Sequence, residues 1–410
     1  MARAISGTVA FLFACLAMGS AAHAASDHVI LNENACADGS AQACFVVGWA
    51  YSKGEGAPVD RAKAAKFFAE ACDGDIAESC VVAGIRYANG EGVPVDQARA
   101  TQFFIQACDG GDPVGCASAA LRYVEGNGVP VDRAKATKFF AEACDGDIAE
   151  SCVVAGIRYA NGEGVPVDQA RAMQLFVQAC NGGNARGCGF AGQWYANGEG
   201  VPVDQARATQ FFVQACDGGN ARGCNNAGVR YEIGEGVPVD QARATQLYVQ
   251  ACDGGQAQAC NSAGVRYAEG EGVPADQVKA TRLFVLACDG GQVEACNNAG
   301  VHYVKGKGVP VDQVRATQLF VLACDGGIAI GCTFAGAQYG QGHGVPIDPV
   351  KAAQFFVQAC DGGNARGCMD AGRHHEHGEG VPADPAKAKQ FYIKACDGGN
   401  DAGCKLAKSL

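Results

Sequence analysis

Cysteine is the residue of this chain whose spacing points most directly to a chemical role. The sequence contains 23 cysteines, and 22 of them form eleven pairs that each enclose seven residues. The pairs follow one another every 36 residues without insertion or deletion. They are Cys36 and Cys44, Cys72 and Cys80, Cys108 and Cys116, Cys144 and Cys152, Cys180 and Cys188, Cys216 and Cys224, Cys252 and Cys260, Cys288 and Cys296, Cys324 and Cys332, Cys360 and Cys368, and Cys396 and Cys404. An even number of regularly spaced thiols is typical of disulfide-bonded proteins in oxidising compartments.

Two other uses of cysteine fit this spacing poorly. A structural zinc site takes four ligands, usually from closely spaced cysteine pairs, and no histidine recurs beside these cysteines. A thioredoxin-like centre needs Cys-x-x-Cys, which does not occur. We therefore predict a local disulfide within each pair, because helix ends joined by a tight turn reach the Cα separation of roughly 4.4–6.8 Å that a disulfide needs.

Histidine forms one cluster near the carboxyl end, at His374, His375 and His377. The cluster is interpreted either as an exposed patch in a less constrained repeat or as a weak transition-metal site, and no cofactor is predicted. The serine β-lactamase motifs Ser-x-x-Lys, Ser-Asp-Asn and Lys-Thr-Gly are absent from the sequence. The recurring aspartate of Val-Pro-Val-Asp is expected to cap a helix, since a catalytic residue is normally unique. The sequence therefore favours a protein without catalytic residues.

A column of residues directly before a repeated tyrosine provides candidate binding residues. Arginine and tryptophan, which are enriched at binding hot spots, dominate this column. The candidates are Arg86, Arg122, Arg158, Trp194, Arg230 and Arg266. Two interpretations are open. The column contacts an acidic or C-terminal peptide or an anionic glycan, or its arginines pair with the glutamates of the Gly-Glu-Gly turns, such as Glu91, Glu163 and Glu235.

The elements that position these residues can be read from the repeat at residues 224–259. A first helix opens at Cys224, places small and aromatic residues at helical spacing, and ends at Gly234. After a turn rich in glycine and proline, Asp240 is a good N-cap for a second helix. Asp253-Gly254-Gly255 ends that helix. Each repeat is therefore predicted to be a hairpin of two helices of about 13 residues each.

The ends of the chain differ from the repeats. Residues 1–24 have the basic start, short apolar stretch and Ala22-His23-Ala24 site of a secretory signal peptide, with lipidation at Cys15 as the alternative. We expect the mature protein in the periplasm or outside the cell. The predicted organisation is a signal peptide at 1–24, an N-terminal capping helix at 25–43, ten tandem 36-residue repeats at 44–403 and a C-terminal cap at 404–410.

Charge and hydropathy narrow the range of partners. The formal net charge is −11, whereas binding to nucleic-acid phosphates needs a basic face. Beyond the first 24 residues, no apolar stretch approaches the length of a transmembrane helix. We therefore expect neither a nucleic-acid partner nor membrane insertion.

The pattern A-G-x-x-Y-x-x-G-x-G-V-x-x-D-x-x-K/R-A, seen at residues 263–280, resembles the Sel1-like repeat. With Cys-x7-Cys in every unit, the chain is similar to the Helicobacter cysteine-rich protein group of that family. The resemblance implies an all-α, right-handed solenoid of αα-hairpins with a disulfide in each Cys-x7-Cys. It also implies a non-catalytic scaffold that binds a protein or peptide on a concave surface. We expect the protein to be a monomer. Binding of β-lactams or cell-wall fragments, or weak β-lactamase-like hydrolysis, is the alternative that the resemblance carries.

Overall fold

The computed structural model of the protein describes residues 26–410, and every regular element within them is an α-helix. Residues 26–37 form α1. The helices that follow are α2 (Ala41–Lys53), α3 (Arg61–Asp73), α4 (Ala77–Asn89), α5 (Gln97–Asp109), α6 (Pro113–Glu125), α7 (Arg133–Asp145), α8 (Ala149–Asn161), α9 (Gln169–Asn181), α10 (Ala185–Asn197), α11 (Gln205–Asp217), α12 (Ala221–Ile233), α13 (Gln241–Asp253), α14 (Ala257–Glu269), α15 (Gln277–Asp289), α16 (Val293–Lys305), α17 (Gln313–Asp325), α18 (Ala329–Gln341), α19 (Pro349–Asp361), α20 (Ala365–His377), α21 (Pro385–Asp397) and α22 (Asp401–Ser409). The predicted signal peptide and Cys15 lie outside the described residues.

The helices alternate between two types, and we call the even-numbered ones A helices and the odd-numbered ones B helices. The A helix α12 ends at Gly234, whose φ of 78° is the left-handed conformation that glycine adopts without strain. The B helix α13 begins after Asp240, whose side chain accepts a hydrogen bond from the Arg243 amide, as predicted. The start of the A helix differs from the prediction. It begins at Ala221 rather than Cys224, because Asn220 caps it by accepting from the Gly223 amide.

The chain divides into two compact units, the first ending at Asp204 and the second beginning at Gln205. The first unit contains α1 to α10, and the second contains α11 to α22. Within each unit, consecutive helices pack against one another. None of the helices in the described part of the chain is long and apolar enough to cross a membrane.

From α3 onward, the B helices carry an aromatic ring that packs against neighbouring A helices. Phe104 of α5 illustrates the arrangement in the first unit. A Cβ atom at Gly84 of α4 would lie 2.6 Å from the Phe104 ring, so the absence of a side chain there lets the two helices approach closely. On its other side, the ring faces the guanidinium of Arg122 in α6, 5.3 Å from the ring centre. One ring therefore joins consecutive repeats.

From Gly92 onward, the second glycine of the Gly-x-Gly turns makes a further contact between repeats. Gly164 has a φ of +77°, and a Cβ atom at this position would lie 2.3 Å from the carbonyl carbon of Arg133 in the preceding repeat. The hydroxyl of Thr137 donates to the Glu163 carbonyl oxygen at 2.7 Å. The turn thus rests directly on the first residues of the preceding B helix, with no room for a side chain.

Eleven disulfides join each B helix to the A helix that follows it. Every bridge links two cysteines eight positions apart, with Cα separations from 4.2 to 4.7 Å. The local pairing predicted from the spacing is confirmed, and so is the all-α fold of tandem helical hairpins. Such a density of disulfides is typical of an extracytoplasmic protein.

Candidate functional site

The candidate arginines lie on A helices and are largely buried. Arg86, Arg158 and Arg266 are only 7%, 8% and 6% exposed. The guanidiniums of Arg86 and Arg158 lie over Phe rings of the preceding B helices, 5.1 and 5.6 Å from the ring centres. Such contacts between a cation and an aromatic face are attractive, and burial strengthens them. These side chains therefore belong to the packing between repeats.

Four of the five candidate arginines also form an ion pair with the glutamate five residues further on. The pairs are Arg86–Glu91 at 3.9 Å, Arg158–Glu163 at 3.5 Å, Arg230–Glu235, and Arg266–Glu271 at 2.7 Å. Burial lowers the pKa of Arg86, and the nearby Glu91 carboxylate opposes that shift. Of the two interpretations of the column, the ion pair with the turn glutamate is the arrangement that the structure contains. Binding of an external ligand by these arginines stays a prediction.

Two members of the column have different partners. The turn residue five positions after Arg122 is Asn127 rather than a glutamate, and Arg122 donates to Oε1 of Gln97 at 2.9 Å. Trp194, which is 8% exposed, packs its ring at 77° to Phe176 with 5.1 Å between the ring centres. An indole cannot neutralise a carboxylate, so Glu199, the turn residue that follows Trp194, lacks the usual arginine.

Glu55 is in the same position as Glu199, because the corresponding column residue is Ala50. In the described part of the chain, neither Glu55 nor Glu199 has a lysine, arginine or histidine within salt-bridge distance, 4.0 Å. This difference between repeats is not among the features predicted from the sequence. A comparison of the arginine column with the turn glutamates, repeat by repeat, would have revealed it.

Grooves recur at one position on the A-helix side of the repeats. A cavity of about 330 Å³ in the first unit is lined by Ile157, Ala160, Asn161, Gln169, Phe176, Phe190, Trp194 and Glu199. Its counterpart in the second unit has about 650 Å³ and includes Ala337, Phe356 and His374, which correspond to Ile157, Phe176 and Trp194 five repeats earlier. A third cavity of about 650 Å³ lies beside Trp49 and Glu55.

The linings of these grooves differ in chemistry. The groove at Trp194 is aromatic with a single carboxylate. Its counterpart in the second unit carries Arg366, Asp370 and Arg373 around the Phe356 ring. One backbone position therefore presents different side chains in different repeats, as a surface of tandem subsites does.

Two of the three candidate histidines, His374 and His375, are buried and contribute to packing. The His374 ring lies 5.1 Å from the Phe356 ring centre, and its Nδ1 is 2.8 Å from the Glu379 carbonyl oxygen. His375 stacks on Phe391 at 5.2 Å, as tyrosine stacks on phenylalanine in other repeats, and burial lowers its pKa. His377 is exposed. The prediction of an exposed patch is therefore wrong for His374 and His375.

Among the described residues, two groups have the proximity that a metal site needs, and neither contains a histidine. They are Cys36, Cys44 and Glu70, and Cys108, Cys116 and Glu142. All four cysteines are disulfide-bonded, so they offer no thiolate. These groups are better described as disulfides with a carboxylate beside one sulfur atom.

Tandem helical hairpins that share a scaffold and vary in their grooves define an α-helical repeat protein. The chain belongs to the Sel1 repeat family. The family model matches it ten times, at residues 41–75, 77–112, 113–147, 149–184, 185–220, 221–256, 257–292, 293–328, 329–364 and 365–400. No curated protein matches the chain.

Two solved structures show the same fold, and a third is similar over a shorter stretch. A protective antigen of uropathogenic Escherichia coli with an SLR fold is similar at a TM-score of 0.62 and 24% identity, over 93% of this chain and 89% of the antigen. A Sel1 repeat protein of Oxalobacter formigenes is similar at 0.58 and 25% identity, over 75% of this chain and 89% of that protein. Helicobacter pylori cysteine rich protein B is 26% identical, with a TM-score of 0.27, over 32% of this chain and 93% of its own.

Proposed function

We propose that this Sel1-repeat protein is an exported, non-catalytic scaffold that binds protein or peptide partners on the A-helix side of its repeats. The observation that supports this proposal is the recurrence of one groove position with different linings, aromatic at Trp194 and charged at Arg373. A groove between neighbouring A helices accepts side chains of a bound segment. Each further repeat adds another groove without altering the packing of its neighbours.

The covalent frame supports a role in rigid presentation. A disulfide, an aromatic ring and a glycine contact hold each repeat to its neighbours, so little conformational entropy is left to lose in the A helices on binding. The predicted signal peptide at residues 1–24 and the eleven disulfides support export to the periplasm or the medium. As a monomer, the protein leaves every groove accessible to a partner. A cell-wall fragment with a peptide portion would bind in these grooves as a peptide does.

The proposal is tested with the oxidised protein lacking residues 1–24 and a panel of fluorescent ten-residue peptides of acidic, basic and apolar composition. We expect at least one class to bind in a fluorescence anisotropy titration. Phe190→Ser in a groove should weaken that binding about fivefold or more, as loss of a buried aromatic contact does. Val167→Ser is the matched control, since Val167 is exposed in the preceding repeat and lines none of the described grooves.

Two results would contradict the proposal. If no peptide class binds at millimolar concentration, the proposal that the A-helix side is an interaction surface is wrong. Turnover of a chromogenic cephalosporin by the oxidised protein, abolished by reduction of its disulfides, would contradict the non-catalytic part.

A further inference from the structure

The groove at Trp194 contains a carboxylate that the chain itself leaves uncompensated. In the preceding repeat, Arg158 neutralises Glu163, the residue that corresponds to Glu199. Glu199 instead receives a hydrogen bond at 2.8 Å from Nδ2 of Asn197, a neutral donor that leaves the full negative charge in place. A half-buried carboxylate without a cation is a favourable place for a positive charge from outside.

Three aromatic rings line the same groove. Phe176 and Phe190 are stacked with their centres 4.8 Å apart and an angle of 22° between the planes. Trp194 meets Phe176 edge-on at 5.1 Å. The faces of aromatic rings are electronegative, and tryptophan is the best partner for a cation among them. Together with Glu199, the rings favour a ligand group that has an apolar stem and a positive end.

Three other repeats show the same chemistry with the cation supplied by the chain. The guanidiniums of Arg86, Arg158 and Arg230 lie 5.1, 5.6 and 5.8 Å from the centres of phenylalanine rings in the B helices. Each of them also pairs with a turn glutamate. At Trp194 the ring and the glutamate are kept, whereas the guanidinium is missing.

The first repeat supplies a cation in a second way. There the Lys53 ammonium lies 5.0 Å from the centre of the Trp49 ring, in the region of the groove that contains Glu55. The position that corresponds to Lys53 in the fifth repeat is Asn197, which has no charge. The Arg186 guanidinium lies 5.5 Å from the centre of the Phe190 ring, but it pairs with Glu150. The groove at Trp194 therefore combines tryptophan with a carboxylate that has no cation of the described chain within salt-bridge distance.

We infer that the groove at Trp194 binds the cationic side chain of a partner polypeptide, a lysine or an arginine flanked by apolar residues. This inference rests on the proposed scaffold function and specifies the partner's chemistry. The aliphatic stem of the side chain contacts Ile157 and the rings, and its positive end lies at Glu199. The net charge of −11 adds long-range attraction for such a partner. The same negative charges repel an acidic ligand from this groove.

The test uses the tryptophan content of the chain. Trp49 and Trp194 are its two tryptophans, so in Trp49→Phe protein the indole fluorescence reports on the groove at Trp194 alone. The probe is an acetylated and amidated Ala-Leu-Lys-Leu-Ala peptide, compared with the same peptide carrying uncharged norleucine in place of lysine. We expect the lysine peptide to perturb the fluorescence and to bind about tenfold more tightly than the norleucine peptide, as desolvated cation–π and charge contacts do.

Variants at two equivalent glutamates provide the matched comparison. Glu199→Gln should remove most of the preference for lysine, whereas Glu163→Gln, whose carboxylate is held by Arg158, should leave it unchanged. Equal affinity for the two peptides, or a lysine preference that survives Glu199→Gln, would overturn the inference. If the two peptides bind equally and Phe190→Ser weakens the binding of each, the scaffold function is supported and the cation site is wrong. If no peptide of any composition binds, the scaffold function and the cation site are both wrong.

Discussion

The contact between Gly164 and the preceding repeat leads to a sharp prediction for Gly164→Ala. A φ of +77° costs an alanine roughly 1–2 kcal/mol. Its Cβ would also lie 2.3, 2.4 and 2.6 Å from the Arg133 carbonyl carbon, the Ala134 nitrogen and the Arg133 oxygen, which are all backbone atoms and cannot rotate away. The turn must therefore move outward, and the Thr137 hydrogen bond, worth about 1 kcal/mol, is lost with it. Adding roughly 1 kcal/mol or more for the disrupted packing, we expect a loss of about 3–4 kcal/mol.

Gly183→Ala separates the steric effect from the backbone effect. Gly183 has a φ of +81°, but a Cβ there would meet no atom within 4 Å. The corresponding residue of the preceding repeat, Asp147, is a non-glycine residue with a φ of 68°. We therefore expect Gly183→Ala to cost only roughly 1 kcal/mol.

Urea unfolding of the oxidised variants, followed by circular dichroism, measures the stability difference. Hydrogen exchange of the α7 and α8 amides shows whether the loss is local, as expected for an array in which repeats contact only their neighbours. A difference between the two variants below about 0.5 kcal/mol would refute the role assigned to the second turn glycine, since independent surface substitutions stay within that range.

Two further predictions concern the disulfides and a buried histidine. Replacing Cys144 and Cys152 together by serine opens a loop of about nine residues and should cost about 2.5 kcal/mol of unfolding free energy, seen as a lower urea midpoint than that of the oxidised wild type; an unchanged midpoint would contradict it. Burial holds the pKa of His375 below its ordinary value of 6.5, so the folded protein favours the neutral ring. The stability that the neutral ring contributes is complete above pH 6.5 and is lost as the pH falls from 6.5 through the lowered pKa. His375→Tyr keeps the stacking on Phe391, so its melting temperature should fall less than that of the wild type between pH 7.5 and 5; an equal fall would show that His375 does not carry the effect.

The repeat and its covalent frame are predictable from the sequence because both depend on local spacing. A fixed period and the Cys-x7-Cys separation determine which helices are neighbours and which thiols can pair. Asp240 is recognisable as a cap for the same reason, since a cap acts within three residues. The start of the A helix is predicted too late because Asn220 lies directly after a glycine turn, although its side chain closes the first helical turn.

The character of the candidate site could not be predicted in the same way. Whether Arg158 faces solvent or Glu163 depends on the rotation of its helix and on the Phe140 ring from the preceding B helix, eighteen residues away. Sequence spacing shows that Phe140 and Glu163 belong to recurring positions, but not that the Arg158 side chain is buried between them. That the Glu199 carboxylate lacks a cationic partner can be recognised only when the ion pairs of the other repeats are known.

The separation of eight residues within every disulfide has a consequence for how the thiols find their partners during oxidation. Among the 22 paired cysteines, the nearest competing cysteine lies farther along the chain, as Cys108 follows Cys80 by 28 positions. Since the probability of loop closure falls with roughly the three-halves power of loop length, the native partner is favoured about sixfold even in the unfolded chain. When the chain emerges from its amino end, each thiol therefore meets its native partner before the next competing thiol has emerged. Random pairing of so many cysteines would rarely give the native set of disulfides. Because pairing is local, the number of cysteines adds little to the difficulty of oxidative folding.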